Sequence, residues 1–403
     1  MALMPVSEAL ARVLEHAVAL PAEPVDLMAA HRRVLAEDVV SRRTQPPAAL
    51  SAMDGYAVRA ADVATAPATL TVIGEVPAGH PFDRAVGPGE AARIFTGGFM
   101  PDGADTVVIQ ENTTRAGERV TITSASGIGK NVRPAGLDFA AGQTLLASGR
   151  QLSSAALALA AAMNYPQLSV HRRPKIAMLA TGDELVAPGT EPAPGQIVYS
   201  NGFAIMTMAQ AEGAQTIDLG IAPDRVPETV AAIRRARDSG ADILVTSGGA
   251  SVGDYDLVQQ ALASEGMTLS FWKIAMRPGR PMMHGRLGDM HVLGLPGNPV
   301  SAFVCSVLFL IPLIRRLSGR HDLSLPVTRA VLGRDLPEND EREDYLRATL
   351  ELRDDEPPLA SAFPVQDSSM LAPLAQSQCL LIRPAHAPAA RAGDPCHVIQ
   401  LGL

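Results

Sequence analysis

The chain is poor in cysteine, in positive charge and in long apolar runs, and each shortage closes off a class of protein. Its three cysteines, Cys305, Cys379 and Cys396, are too few and too far apart for a disulfide framework or a zinc site. A reducing compartment is the simplest reading. The formal net charge of -8 argues against a general nucleic-acid binder, which would carry a basic face. The longest apolar run, 302–314, contains Pro312 and falls short of the ~18 residues that span a bilayer, so it reads as a buried helix. The opening stretch MALMPVSEALARVLEHAVAL has no basic leader and carries Glu8 and Glu15, so no signal peptide is expected. Several catalytic signatures are missing too. SGIGKNV has a Gly-Lys pair without the earlier glycine of a Walker A loop, and no GxGxxG opens a helix after a strand. The nine histidines show no metal spacing, and nothing resembles a Ser-His-Asp arrangement. These absences predict a soluble, cytoplasmic protein without nucleic-acid or membrane partners.

At 403 residues the chain exceeds the roughly 250 to 300 at which one core stops growing, so several domains are expected. Leu10, Val13, Leu14, Ala17 and Val18 recur at helical spacing near the start. TLTVIGEV, ARIFTGG, ADTVVIQEN and ERVTITSA then read as strands between Gly/Pro turns, with no strong helix among them. An alanine-rich helix covers 151–164. Beyond HRRP, strands (KIAMLAT, TIDLGIA, DILVTSGG, HVLGLPGNP) alternate with helical patterns, which implies a parallel sheet covered on both faces. The last stretch returns to β character. The expected fold class is multidomain α/β plus β: a parallel-sheet α/β core at 174–320, a β-rich inserted module at 51–130, an elongated helical connecting domain from 1–50 with 131–173, and a small C-terminal β domain at 321–403.

In open α/β sheets, ligands sit outside the carboxyl ends of the strands. The unusual loops lie there. LATGDELV carries Asp183 and Glu184, for which a solvated turn is the competing role. TSGGASVGDYD offers Ser247, Gly248, Gly249 and Ser251 as backbone and hydroxyl donors suited to phosphate, then Asp254 and Asp256, which could simply cap the next helix. In GLPGNPVSA, Asn298 reads as a helix N-cap and Pro299 as the first helical residue, while Gly297 admits close approach of a ligand. FWKIAMRPGRP holds Lys273, Arg277 and Arg280, cations fit for an oxyanion. Asp54 in SAMDGYAV and Asp138 in NVRPAGLDFAAG stand at turns entering and leaving the inserted module. Cations, amides and carboxylates together suit phosphoryl or nucleotidyl chemistry with a divalent ion.

SAMDGYAV, TGDELV, TSGGASVGDYD, RPGRP and GLPGNPVSA, in this order, resemble the molybdopterin molybdenumtransferase family, whose homologues include the C-terminal domain of gephyrin. The resemblance covers essentially the whole chain. It implies insertion of molybdate into adenylylated molybdopterin with release of AMP, Mg²⁺ as cofactor, and a homodimer of four-domain subunits with sites at the subunit interface. It also implies contact with the molybdopterin adenylyltransferase of the preceding step. By motif, Asp54, Thr96 (in RIFTGG), Asp138, Glu184, Asp256, Lys273 and Arg277 take catalytic roles. Ser247, Gly248, Gly249, Ser251, Arg280, Pro296, Gly297, Asn298, Ser301, Arg347 and Ser368 take substrate-binding roles. Asp183, Glu184, Asp242, Asp254 and Asp256 fall at metal positions.

The chain departs from the family pattern at defined places. RPGRP stands for KPGKP, TGGFMP for TGAPVP, and GLDF for GEDI, so that Leu137 replaces a carboxylate. Tyr199 replaces the aspartate of the Asp-Ser-Asn that follows GQI. Two other readings compete with molybdenum insertion. One is adenylyl transfer to molybdopterin, which the extra β domains disfavour; the other is a non-enzymatic pterin-binding or scaffold paralogue, supported by the lost carboxylates.

Overall fold

The computed structural model describes residues 3–248, 257–271 and 273–402. Its organising element is a six-stranded sheet in which the strands Gln215–Ala222, Lys175–Thr181, Ile243–Ser247 and Met290–Leu295 lie side by side and parallel. Met283–Leu287 and Thr268–Phe271 extend it antiparallel, so the sheet is mixed at one edge. These two strands were not expected; the tight turn at Gly288 makes the first a hairpin with Met290–Leu295.

Alternate residues of one strand face opposite sides of a sheet, and here the two sides are distinct cores. Ile176, Met178, Ile243 and Val245 pack with the helix Asn201–Ala211 and the apolar helix 299–317. Ala177, Leu179 and Leu244 pack with the helices Val226–Asp238 and Leu257–Ser264. Burial on both faces explains why these strands read as unbroken apolar runs.

The helical run 299–317 coincides with the helical pattern PVSAFVCSVLFLIPLIRRL of the sequence. By length and composition alone it could cross a membrane, yet 83% of it is buried inside the protein. A π-helical stretch, Ser306–Leu310, precedes the segment that carries Pro312. Pro312 has no N–H to give, and the wider turn absorbs that loss without ending the helix.

The inserted module is a six-stranded sheet ordered Thr106–Ile109, Gly55–Val58, Glu90–Ile94, Ala68–Val76, Arg119–Ile122, Thr113–Ala116. Its stalk is mostly ladder. Three two-stranded pairings, Ala22–Asp26 with Gln167–His171, Val39–Val40 with Thr144–Leu146 and Leu50–Ser51 with Val132–Arg133, zip the outgoing and returning chains together. Among the described residues of this stalk the α-helix is Ser154–Ala162, whose first turn is capped by the Ser153 hydroxyl. The first helix, Val6–Leu14, lies elsewhere: Ala9 and Val13 join the core of the parallel sheet. The amphipathic pattern of that helix was correct, and its partner was not readable from it.

The C-terminal strands Val327–Leu332, Glu343–Arg353, Glu356–Ala362, Cys379–Arg383 and Pro395–Gln400 close into a small barrel, because Glu343–Arg353 pairs with both Glu356–Ala362 and Cys379–Arg383. A short strand, Met276–Arg277, leaves the sheet domain and pairs parallel with Glu343 and Asp344. The barrel is thereby tied to the RPGRP segment.

Candidate active site

The parallel strands end at Thr181, Ala222, Ser247 and Leu295, and a cavity of about 680 Å³ opens beside three of these ends. Thr181, Glu184, Ser247, Gly248, Pro296, Gly297 and Asn298 line it, joined by Tyr199, Asn201 and Pro281 and by Ser369 and Leu371 of the barrel domain. Local sequence explains the opening. Gly248 has φ +93, and a Cβ there would lie 2.4 Å from the Thr181 carbonyl oxygen, so only glycine fits. A Cβ at Gly297 would point to the Gly248 Cα at 3.8 Å; the two loops meet glycine to glycine.

Asn201, the first residue of its helix, ties these loops together. Its side-chain amide donates to Ser247 Oγ at 2.9 Å and to the Gly297 carbonyl at 2.7 Å. Because Ser247 Oγ accepts here, its own hydroxyl proton is free for a ligand. Asn201, Tyr199 and Ser369 were not among the expected site residues. The first two follow the short strand Ile197–Val198, and the helix start at Asn201 was the available signal.

The carboxylates divide. Glu184 lines the cavity, and Gly182 makes room for it, since a Cβ at 182 would sit 2.5 Å from Glu184 Oε2. Asp183 does not line it. Its Oδ1 accepts from the Asp224 amide at 3.1 Å while its own amide donates to Asp224 Oδ2 at 3.4 Å, which locks one loop to the next. Asp242 stands at the amino end of its strand, away from the cavity. Arg172 grips it with two bonds of 2.8 and 2.6 Å, and the Lys175 amide donates to it at 2.8 Å. These partners hold the carboxylate apart from the residues that line the cavity. Asp254, Asp256, Gly249 and Ser251 lie outside the described residues.

The cations divide as well. Arg277 faces a different cavity, of about 440 Å³, between the RPGRP segment and the barrel. It contacts Asp344 and reaches Asp340 at 3.4 Å and Asn339 at 3.2 Å. Burial pushes the Asp344 carboxyl up, against the pull of Arg277. Lys273 and Arg280 are exposed, with Pro281 of the same segment lining the main cavity. Arg347 is 1% exposed, and its guanidinium donates to the carbonyls of Met370 and Val365 and to Gln366. It holds the 365–370 loop in place instead of facing the cavity; desolvation lowers its pKa.

That loop reaches the sheet domain through Ser368. Asn298 was expected to cap its helix with its side chain, but the amide donates to Ser368 Oγ at 2.8 Å. The Ser368 carbonyl in turn accepts from the Val300 amide at 3.0 Å, so the barrel domain supplies the cap. Ser301 is buried inside the helix Pro299–Cys305 and does not line the cavity.

Asp54 and Thr96 form a pair of their own in the inserted module. Asp54 Oδ1 accepts from the Thr96 amide at 2.7 Å and its hydroxyl at 2.8 Å, and these bonds hold the exposed carboxyl below its ordinary range. Asp138 is exposed, with its backbone amide bonded to the Gln45 carbonyl. None of the three lines the cavity of its own chain.

The MoeA N-terminal region (domain I and II) matches residues 4–164, a probable molybdopterin binding domain matches 177–316, and the MoeA C-terminal region (domain IV) matches 329–401. A molybdopterin molybdenumtransferase of Nostoc sp. is 40% identical over 389 residues, covering 94% of this chain and 89% of that one. The chain belongs to the molybdopterin molybdenumtransferase family. A family member from Haemophilus influenzae is 38% identical over 75% of each chain. The crystal structure of a molybdopterin biosynthesis MoeA protein from Pyrococcus horikoshii superposes with a TM-score of 0.84 at 30% identity, covering 99% of both chains. As a MoeA-family protein the chain is a transferase of molybdenum cofactor biosynthesis.

Proposed function

We propose that this transferase inserts molybdate into adenylylated molybdopterin and releases AMP. The observation that carries the reading is the cavity at the carboxyl end of the parallel sheet, where Ser247, Gly248, Asn201 and Gly297 surround a space with one lining carboxylate, Glu184. Hydroxyl and amide donors gathered in one place suit the pyrophosphate of a nucleotide-linked substrate. Pro296 and Asn298 shape the second wall, and the exposed Arg280, next to the lining Pro281, with Lys273 of the same segment, would suit an incoming molybdate.

Mg²⁺ is part of this proposal. Among the described residues no group of three or more His, Cys, Asp or Glu could cage a metal. Mg²⁺ is commonly held by one or two protein carboxylates together with the phosphates of its substrate. Glu184 would be one such ligand. Bound there, the ion would offset pyrophosphate charge and favour departure of AMP. The chain's own contribution is positional: Ser247 donates to a phosphate oxygen, Asn201 fixes that serine, and the glycines let the backbone come close.

The partner subunit has a place in this scheme. In a homodimer with its site at the subunit interface, Asp54, Thr96 and Asp138 would gain a cavity to face. The protein would work in the cytoplasm, and contact with the molybdopterin adenylyltransferase would pass on the adenylylated substrate directly. The experiment supplies purified protein with adenylylated molybdopterin, Mg²⁺ and molybdate. AMP release that depends on molybdate is expected. ATP consumption without molybdate would replace this reading with adenylyl transfer, and tight pterin binding without turnover would replace it with a scaffold.

A further inference from the structure

Two hydroxyls of cavity-lining residues have no hydrogen-bond partner among the described residues. Thr181 and Tyr199 both line the cavity, at 3% and 6% exposure, and neither Thr181 Oγ1 nor the Tyr199 hydroxyl finds a partner among those residues. Leaving a buried hydroxyl unpaired costs stability, and replacing it by an apolar group of the same shape is close to neutral or favourable. Such atoms persist where a ligand completes them.

Their positions are complementary. Thr181 ends the strand next to Ser247, with Ala180 opposite Ser247 in register, and its Oγ1 lies 3.2 Å from where a side chain at Gly248 would begin. The Tyr199 hydroxyl lies over Gly202, where a Cβ would come within 1.5 Å of it, and Gly202 follows Asn201. Tyr199 therefore depends on glycine at 202. Its ring packs against Phe203 at 5.7 Å between centroids, which holds its direction. Burial raises the phenol's pKa, so it stays a donor at any working pH. With the free proton of Ser247, three hydroxyl donors belong to residues that line the cavity.

We infer that Thr181 and Tyr199 are substrate ligands whose hydroxyls donate to anionic phosphate oxygens, with Tyr199 setting the site's preference by supplying a neutral donor where the family pattern expects a carboxylate. This rests on the phosphate-binding reading of the cavity given above. A neutral donor at 199 lets the site hold a more highly charged anion with less help from a cation. The Tyr199–Gly202 pair is one device: the glycine clears the space that the phenol fills.

The test pairs binding with stability in the full chain. Calorimetric titration with inorganic pyrophosphate and with AMP, each with Mg²⁺, is run beside thermal melts for wild type, Thr181→Val, Tyr199→Phe and a control, Thr246→Val. Thr246 Oγ1 is also buried and unpartnered, but Thr246 does not line the cavity. All three variants should melt at or a few degrees above wild type. Thr181→Val and Tyr199→Phe should bind pyrophosphate roughly 10-fold more weakly, since bonds to charged groups are the stronger class, while Thr246→Val binds as wild type. Unchanged pyrophosphate affinity in both cavity variants overturns the inference alone. A wild type that binds neither probe overturns the phosphate reading and this inference with it.

Discussion

The strand Ile243–Ser247 has two ends with opposite characters. At the amino end Asp242 is saturated: two guanidinium bonds from Arg172 and an amide bond from Lys175 satisfy it. At the carboxyl end Ser247 is followed by Gly248, and the neighbouring Thr181 hydroxyl has no partner among the described residues. The two ends are five residues apart on one rigid element, yet one carries complete pairing and the other carries donors held open. Parallel sheets divide labour in this way because every strand ends on the same side, so the donors collect there. Saturation serves folding, whereas open valence is a stability cost that a ligand offsets.

The largest effect should come from attacking the saturated end. Asp242→Ala strands Arg172 and should lower unfolding free energy by about 2 kcal/mol, less than a fully buried pair because Arg172 is partly exposed. Urea denaturation measures this; AMP release per folded molecule should stay near wild type. A metal role for Asp242 would show the reverse, with stability kept and turnover lost.

Changes at the open end should do the opposite. Glu184→Gln should reduce molybdate-dependent AMP release by roughly 10²-fold with no shift in melting temperature, as the residue is exposed and outside the core. A full-speed variant would remove Glu184 from the site. Ser247→Ala should act more gently, raising KM for the adenylylated substrate about 10-fold while kcat changes less. Equal loss in both constants would instead place the serine in the transition state.

Acid should separate the ends by a smaller, graded effect. His284 and His291 stack at 5.9 Å, with His291 donating its backbone amide to the Asp242 carbonyl at the saturated end. Burial lowers their pKa values to about 3 and about 4, helped for His284 by His291 and Arg286 and for His291 by Arg286 and His16, against Asp242. The folded state thus favours neutral imidazoles. Stability should be fully present above the unfolded pKa of about 6.5 and fall as pH drops from there toward 4, by up to about 1.4 kcal/mol per pH unit for each histidine. Urea midpoints at pH 7, 6 and 5 check the slope, and replacing both histidines with glutamine should flatten it.

Much of this site was legible in the chain. Small residues after apolar runs marked the strand ends, and parallel topology turned scattered loops at Ser247, Gly297 and Glu184 into one place. Asp242 could be set apart on chain order alone: it precedes its strand Ile243–Ser247, at the edge opposite the residues that follow neighbouring strands. Other features lay beyond reach. The Asp183–Asp224 exchange joins loops 41 residues apart through backbone amides that every residue has. Arg347 carried a substrate-binding role through the family resemblance, and its burial is a fact of packing that the chain does not display. Tyr199 appeared only as a lost charge, and its unpaired hydroxyl and its dependence on Gly202 are facts of packing.

The Ser368 contacts bear on how such a chain can be taken apart. A fragment ending at residue 320 would keep every strand of the parallel sheet. It would lose the carbonyl that serves the Val300 amide and the hydroxyl that receives Asn298, together with Ser369 and Leu371 at the cavity wall. Inheritance in separable modules therefore does not make the pieces interchangeable. A barrel borrowed from a relative would have to bring a serine loop of matching reach, or the second glycine loop would be left without its end-piece.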